Sequence, residues 1–166
     1  KPRWKQVVEE TNESLGELVG QEYVKNYLPP NTKEKLLEIG NNIMEVFGEH
    51  LKKLEWMSPR TKEKALLKLS KVNMKLGYPD KWKDFSALTI TRESYCKNMM
   101  ACNKWYHDYN INKYGKPVDR QEWSMTPQTY NAYYNPSLNE IVIPGCNMIV
   151  PGYPGLAPDA ILYGIV

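Results

Sequence analysis

The sequence predicts a mainly α chain with one β-hairpin, an α+β arrangement in which helices come first and strands follow. Apolar residues recur at spacings of three and four through most of the first 110 residues, and the period changes to two near residues 129–143. Turns rich in Pro and Gly separate these segments. With 166 residues, of which 42% are hydrophobic, the chain has enough apolar side chains for a domain-sized core.

Three amphipathic helices are predicted in the first 76 residues. The first stops at Pro29-Pro30, the second starts with the capping-box pair Asn31 and Glu34, and the third has Ser58 as its N-cap, followed by Pro59. The predicted spans are about residues 4–28, 31–56 and 58–73.

A boundary is predicted at Gly77-Tyr78-Pro79-Asp80, where the helical pattern breaks and the density of charged residues falls. It divides the chain into residues 1–76 and 77–166. A fourth helix is expected from about Thr91 to a stop at Gly115. Its aromatic stripe is typical of a packed core, with an aromatic ligand platform as the weaker alternative.

A hairpin is predicted after the fourth helix. Residues 129–134 and 140–143 alternate in polarity and flank the turn-rich run Asn135-Pro136-Ser137-Leu138-Asn139. From spacing alone, Asn131 is interpreted as a residue that caps a turn.

Charge and hydropathy exclude two classes of partner. The 22 basic and 19 acidic residues give a net charge of only +3, spread along the chain, so we expect no nucleic-acid partner. No apolar run approaches the roughly 20 residues that span a bilayer, so we expect no membrane contact from this segment. Beyond Ser124 only Glu140 and Asp159 are charged, and the last residues are apolar. We therefore expect a segment of a longer protein, or one that other structure covers.

Metal-ligating and redox side chains are sparse. His50 and His107 each stand alone on a predicted helix, and we interpret both as solvated residues without a metal. Cys96 and Cys102 are too far apart on one helix to form a disulfide and are interpreted as small buried hydrophobes. A disulfide from either to Cys146 stays open.

One segment carries a specific signal. Residues 123–136, from Trp123 through Thr126-Pro127-Gln128 to Asn131-Ala132-Tyr133-Tyr134-Asn135-Pro136, and then Asn139–Pro144, closely resemble the stretch before the zinc motif in neprilysin-like zinc metalloendopeptidases. Bacterial oligopeptidases of that family share it. Matches in family order extend over nearly the whole chain, at residues 1–4, 15–17, 54–58, 77–82 and 115–119.

The resemblance implies a fold and a reaction. Residues 1–76 would be part of the helical lid domain, and residues 77–166 the start of a thermolysin-like α+β catalytic domain. In the family a Tyr-Gly pair, here Tyr163-Gly164, shortly precedes the zinc helix H-E-x-x-H. The zinc ligands and the catalytic Glu would then lie beyond Val166. Zinc is therefore expected as the cofactor of the complete enzyme and not of this segment, which contains no catalytic or metal-binding residue.

The resemblance implies that the complete protein hydrolyses internal peptide bonds of oligopeptides, and this chain alone is expected to be inactive. The residues themselves do not indicate a compartment, and the resemblance suggests an extracytoplasmic one. Its partners would be the peptide substrate and the remainder of the same catalytic and helical domains.

The resemblance also assigns substrate-binding residues. The family's Asn-Ala-aromatic strand lies at the edge of the active-site sheet and pairs with the substrate backbone, which matches Asn131, Ala132 and Tyr133, with Tyr134 next to them. The chain departs from the family afterwards. Positions where relatives have an apolar Ile and a Phe of the primed-side pocket align with Asn147 and Gly152, so pocket preference is not carried over.

A different class of function remains as the alternative. The Tyr- and Trp-rich second half could serve as the partner-binding surface of a non-catalytic helical interaction module. An H-E-x-x-H motif shortly after Val166 would decide for the enzyme.

Overall fold

The computed structural model describes residues 1–166, the whole chain. Helices dominate it, and a small sheet lies between them, so the predicted mainly α fold with a small β element is confirmed. In chain order the elements are α1 (Arg3–Tyr27), α2 (Thr32–Lys53), α3 (Pro59–Ser70), β1 (Asn73–Gly77), α4 (Tyr95–Ile111), β2 (Tyr133–Asn135), β3 (Glu140–Pro144), a 3₁₀ helix (Gly145–Met148) and α5 (Asp159–Ile165).

The helix starts follow local side-chain chemistry. The Ser58 hydroxyl accepts a hydrogen bond from the Thr61 N–H at 3.2 Å, which confirms the predicted cap of α3. The predicted capping box at Asn31 is wrong. Asn31 has a left-handed backbone with φ 62° and makes no capping bond, because an N-cap needs an extended conformation. The Thr32 hydroxyl instead donates to the carbonyl of Pro29 at 2.6 Å.

The sheet has the strand order β1-β3-β2. β2 and β3 are antiparallel with Tyr133 opposite Val142, which is the predicted hairpin. β1 runs parallel to β3, with Asn73 opposite Glu140 and Gly77 opposite Pro144. The sequence does not predict β1, because its pairing partner lies far away in the chain. The predicted third helix continues to Asn73, whereas the observed helix α3 ends at Ser70.

β1 crosses the predicted boundary after residue 76 and pairs along its whole length with β3. Residues from both predicted segments therefore share one sheet. The division into 1–76 and 77–166 stays a prediction.

The first strand of the hairpin is shorter than predicted. Residues 129–132 lie outside the ladder, since the Thr129 N–H bonds to the Thr126 carbonyl and the Asn131 N–H to the Thr129 carbonyl in consecutive turns. The antiparallel register would place Ala132 opposite Ile143 and Asn131 opposite Pro144 of β3, but the two strands do not pair there. The segment that carries Asn131 and Ala132 is thus a lead-in to β2.

The main core lies between α2, the sheet and α5. Its buried members are Leu36, Ile39, Leu76, Met148, Ala157 and Leu162. Gly40 lets α2 approach the sheet closely, because a Cβ there would lie 2.8 Å from Leu76 Cδ1. The short helix α5, which was not predicted, is fixed along α2 by Lys35–Asp159 at 2.9 Å and Asn42–Tyr163 at 2.6 Å.

A second cluster joins α4 to the rest of the chain. Phe85 stacks on Trp105 with ring centroids 4.2 Å apart, and Trp105 stacks on Tyr109 at 5.2 Å. The stripe on α4 therefore packs as a core, as its period predicts. Cys102 is buried there, whereas Cys96 is exposed, contrary to the prediction, and all three cysteines are free thiols.

Large apolar side chains remain exposed on the outer faces of α1 and α2. They are Trp4, Val7, Val8, Ile43, Val46 and Phe47. None of the five helices combines the length and the apolar character needed to cross a membrane.

Candidate functional site

The residues assigned to substrate binding lie at an open edge of the sheet. Asn131 and Ala132 are exposed and lead into β2, and Tyr133 is its first residue. β2 pairs with β3 on one side only, so its other side has no strand partner. Main-chain groups on an unpaired strand edge are available to an additional extended chain.

The Asn131 side chain is close to its own backbone. Its Oδ1 accepts a hydrogen bond from the Ala132 N–H at 2.8 Å, while its Nδ2 has no partner in the chain. A carboxamide nitrogen carries two donor hydrogens. Asn131 therefore presents free donors next to the strand edge.

Tyr133 and Tyr134 point to opposite faces of the sheet, as successive strand residues do. The Tyr133 hydroxyl lies 3.4 Å from Glu140 Oε1, on the face that carries Val142. The Tyr134 hydroxyl donates to Asn139 Oδ1 at 2.9 Å on the other face, and Lys68 lies 5.7 Å from its ring. The hairpin is thus held from both faces while its edge stays open.

A buried ion pair lies under the hairpin and was missed from the sequence. Lys75 Nζ of β1 is 2.6 Å from Glu140 Oε2 of β3, and both side chains are almost completely buried. Lys75 also donates to the Glu122 carbonyl at 2.6 Å. The sequence signal is one charged residue in each of two short apolar segments. Only the parallel register of β1 and β3 shows that Lys75 and Glu140 meet.

Glu122 continues this polar network to α4. Its carboxylate accepts from the Tyr109 hydroxyl at 3.2 Å and from Lys113 Nζ at 2.6 Å. Burial, with the nearby Glu122 carboxylate as the next cause, raises the pKa of Tyr109 to about 12. Tyr109 is therefore a neutral hydrogen-bond donor at ordinary pH.

The 3₁₀ helix after β3 contacts the lead-in to β2. Asn147 Nδ2 donates to the Asn131 carbonyl at 2.8 Å and to the Pro144 carbonyl at 3.1 Å. Asn147 is one of the two positions at which the sequence departs from the family pattern. Gly152, the other departure, has φ 90° and open space where a Cβ would lie.

The chain is similar over nearly its whole length to known peptidases. A model of peptidase family M13 matches residues 1–79. Over 99% of this chain, the zinc metalloprotease ZMP1 of Mycobacterium tuberculosis in its open state superposes with a TM-score of 0.87 at 41% identity. An endothelin-converting enzyme homolog of Locusta migratoria is 32% identical over 97% of the chain, and Neprilysin-3 of Drosophila melanogaster is 30% identical over 97%. The chain belongs to peptidase family M13.

The M13 assignment confirms the resemblance to neprilysin-like peptidases, and nothing in the comparisons supports a non-catalytic helical interaction module. The match spans 25% of ZMP1, 23% of the locust protein and 21% of Neprilysin-3. This M13 chain therefore corresponds to about a quarter or less of these relatives.

The residues of this M13 chain do not fit a zinc site. No three His, Cys, Asp or Glu side chains converge on one point, and His50 and His107 are exposed on separate helices. A zinc site needs three or four such ligands around the metal.

Proposed function

We propose that the chain is a segment of a zinc-dependent endopeptidase that hydrolyses internal peptide bonds of oligopeptides. Within that enzyme it contributes lid helices and the edge strand that aligns the substrate. The zinc ligands and the catalytic Glu belong to other parts of the protein. Membership of peptidase family M13 and the similarity to a zinc metalloprotease support the assignment.

The observation that carries the alignment role is the open edge of β2 with its exposed lead-in. An extended peptide that adds to such an edge gains main-chain hydrogen bonds whatever its sequence. Ala132 suits this role, since its small side chain leaves the backbone accessible. An oligopeptidase needs this kind of recognition, because it must hold substrates of different sequence in one orientation.

Asn131 is the side chain best suited to assist. Its free Nδ2 can donate to a peptide carbonyl, and its Oδ1 can accept from a peptide N–H in exchange for that of Ala132. A carboxamide does not transfer protons at ordinary pH, so Asn131 orients the substrate without taking part in bond cleavage. Tyr133 follows as the first residue of the edge strand.

The extracytoplasmic location stays a prediction from the family resemblance. The proposed partners are the peptide substrate and the remaining parts of the same two domains. Exposed apolar residues such as Val46 and Phe47 on α2 support the second partner, since contiguous apolar surface is usually covered.

A direct experiment compares the full-length protein with this 166-residue chain, both washed with chelator and then given zinc. We expect the full-length protein to bind stoichiometric zinc and to cleave oligopeptides at internal bonds. The short chain is expected to bind no stoichiometric zinc and to cleave nothing, because it lacks a set of ligands. Metal analysis and mass spectrometry of the digests provide the readouts.

Two outcomes contradict the proposal. One is a full-length protein that holds zinc but cleaves no peptide. The other is tight zinc on the short chain, with peptidase activity that follows the metal.

A further inference from the structure

We propose that Asn147 is a positioning residue that holds the main chain of Asn131 so that the Asn131 side chain can align a peptide. The proposal rests on the proposed peptidase function and adds a residue to its binding edge. Asn147 lies on the 3₁₀ helix that follows β3 and is half-buried.

The contact is specific in its geometry. Asn147 Nδ2 is 2.8 Å from the Asn131 carbonyl oxygen and 3.1 Å from the Pro144 carbonyl oxygen. Because this nitrogen carries two hydrogens, it can make both bonds at once. One side chain thereby links the lead-in of β2 to the end of β3.

Asn131 has no comparable support from elsewhere. Ladder pairing in the hairpin begins only at Tyr133. The other hydrogen bonds of Asn131 are local, from its N–H to the Thr129 carbonyl and from the Ala132 N–H to its own Oδ1. Local turns set the shape of this segment but do not fix its position relative to the sheet. The bond from Asn147 does so.

The 3₁₀ helix is a firm anchor for this bond. Met148, next to Asn147, is completely buried in the main core. Gly145 lies so close to Leu28 that a Cβ would be 2.9 Å from Leu28 Cδ2. The Cys146 N–H also donates to the Pro127 carbonyl at 3.0 Å, which attaches the 3₁₀ helix to the chain four residues before Asn131. Asn147 is therefore anchored to the core and holds Asn131 in a fixed position relative to it.

The test is a double-mutant cycle in the full-length enzyme, with peptide hydrolysis as the assay. Asn147→Ala removes both hydrogen bonds, and Asn147→Leu removes them while it keeps the number and branching of the side-chain heavy atoms. Each is combined with Asn131→Ala. Asn103→Ala serves as the matched control, because Asn103 is exposed on α4 and makes no side-chain hydrogen bond.

We expect both Asn147 variants to lower kcat/KM by about 10-fold, because displacement of an aligning group weakens the interactions it makes with the substrate. In the Asn131→Ala background the same changes should cost less than about 2-fold, because the carboxamide side chain that Asn147 positions through the main chain is then gone. A merely structural role would give the same loss in both backgrounds. The control is expected to match the parent enzyme.

Several results overturn the proposal. Unchanged kinetics in both Asn147 variants, with a clear loss in Asn131→Ala, refute the role of Asn147 and leave the proposed function intact. Equal losses in the two backgrounds assign Asn147 to general stability. Unchanged kinetics in Asn131→Ala refute the alignment role itself, and the proposal for Asn147 with it.

Discussion

At the scale of single residues, the sheet contains a buried ion pair between Lys75 and Glu140. Both charges are removed from water, and desolvation of this kind can outweigh the attraction between them. The added bond from Lys75 to the Glu122 carbonyl and the Tyr133 hydroxyl near Glu140 reduce that cost. The pair ties β1 to the strand that supports the binding edge.

Removal of one partner is expected to destabilise the protein strongly. Lys75→Met leaves an uncompensated buried carboxylate and should lower the free energy of unfolding by about 3 to 5 kcal/mol. The double variant Lys75→Met/Glu140→Leu should regain most of that loss, because neither buried charge remains. Urea unfolding measures both.

Lys104→Met is the control, since its pair with Asp108 is largely exposed and such pairs contribute about 1 kcal/mol or less. A loss from Lys75→Met no larger than that of the control would contradict the account. So would a double variant less stable than the single one.

At the scale of elements, α4 and its aromatic cluster connect the polar network to the packed core. Tyr109 stacks on Trp105, and its hydroxyl donates to Glu122, the residue whose carbonyl accepts from Lys75. Burial and this carboxylate favour the neutral phenol, which is why the pKa of Tyr109 is raised from 10.0 to about 12. The folded state therefore binds this proton more tightly than the unfolded state.

This shift predicts the direction of a pH effect. The stabilisation is fully present below pH 10, the unfolded value, and is lost as the pH rises toward about 12, the folded value. The free energy of unfolding should fall over this range, and by less in Tyr109→Phe than in the parent. Urea unfolding at the two ends of the range measures the difference.

Tyr114→Phe is the appropriate comparison, because Tyr114 is 93% exposed. It is expected to keep the full alkaline loss. If Tyr109→Phe lost as much stability as Tyr114→Phe over the range, Tyr109 would not be the group responsible.

Elements that depend on neighbouring residues could be predicted from the sequence, and elements that depend on residues far away in the chain could not. The cap of α3 follows from Ser58 and Pro59 as neighbours, and the hairpin from alternation around a turn-rich run. β1 becomes a strand only through β3, and β2 is short because consecutive turns hold the residues before it outside the ladder. The capping box failed at Asn31 because the backbone after Pro29-Pro30 is left-handed.

At the scale of the whole molecule, one sheet joins strands from the first and second halves of the chain. β1 follows the helices α1 to α3, β3 lies beside it, and β2 presents the open edge. The segment Asn131–Tyr133 was predicted by its resemblance to a family motif, and the hairpin explains its accessibility. The link from Asn147 was not predictable, since it depends on how the loop after β3 folds back on the lead-in.

The central claim is that this edge aligns a peptide substrate, and the most direct test is hydrolysis by Asn131→Ala in the full-length enzyme. Loss of one or two hydrogen bonds at about 1 to 1.5 kcal/mol each should lower kcat/KM by roughly 10- to 100-fold. Zinc content and thermal stability should hardly change, because an exposed side chain outside the ladder contributes little to the core. Unchanged kinetics, or a loss of zinc or of folding in place of a kinetic effect, would contradict the claim.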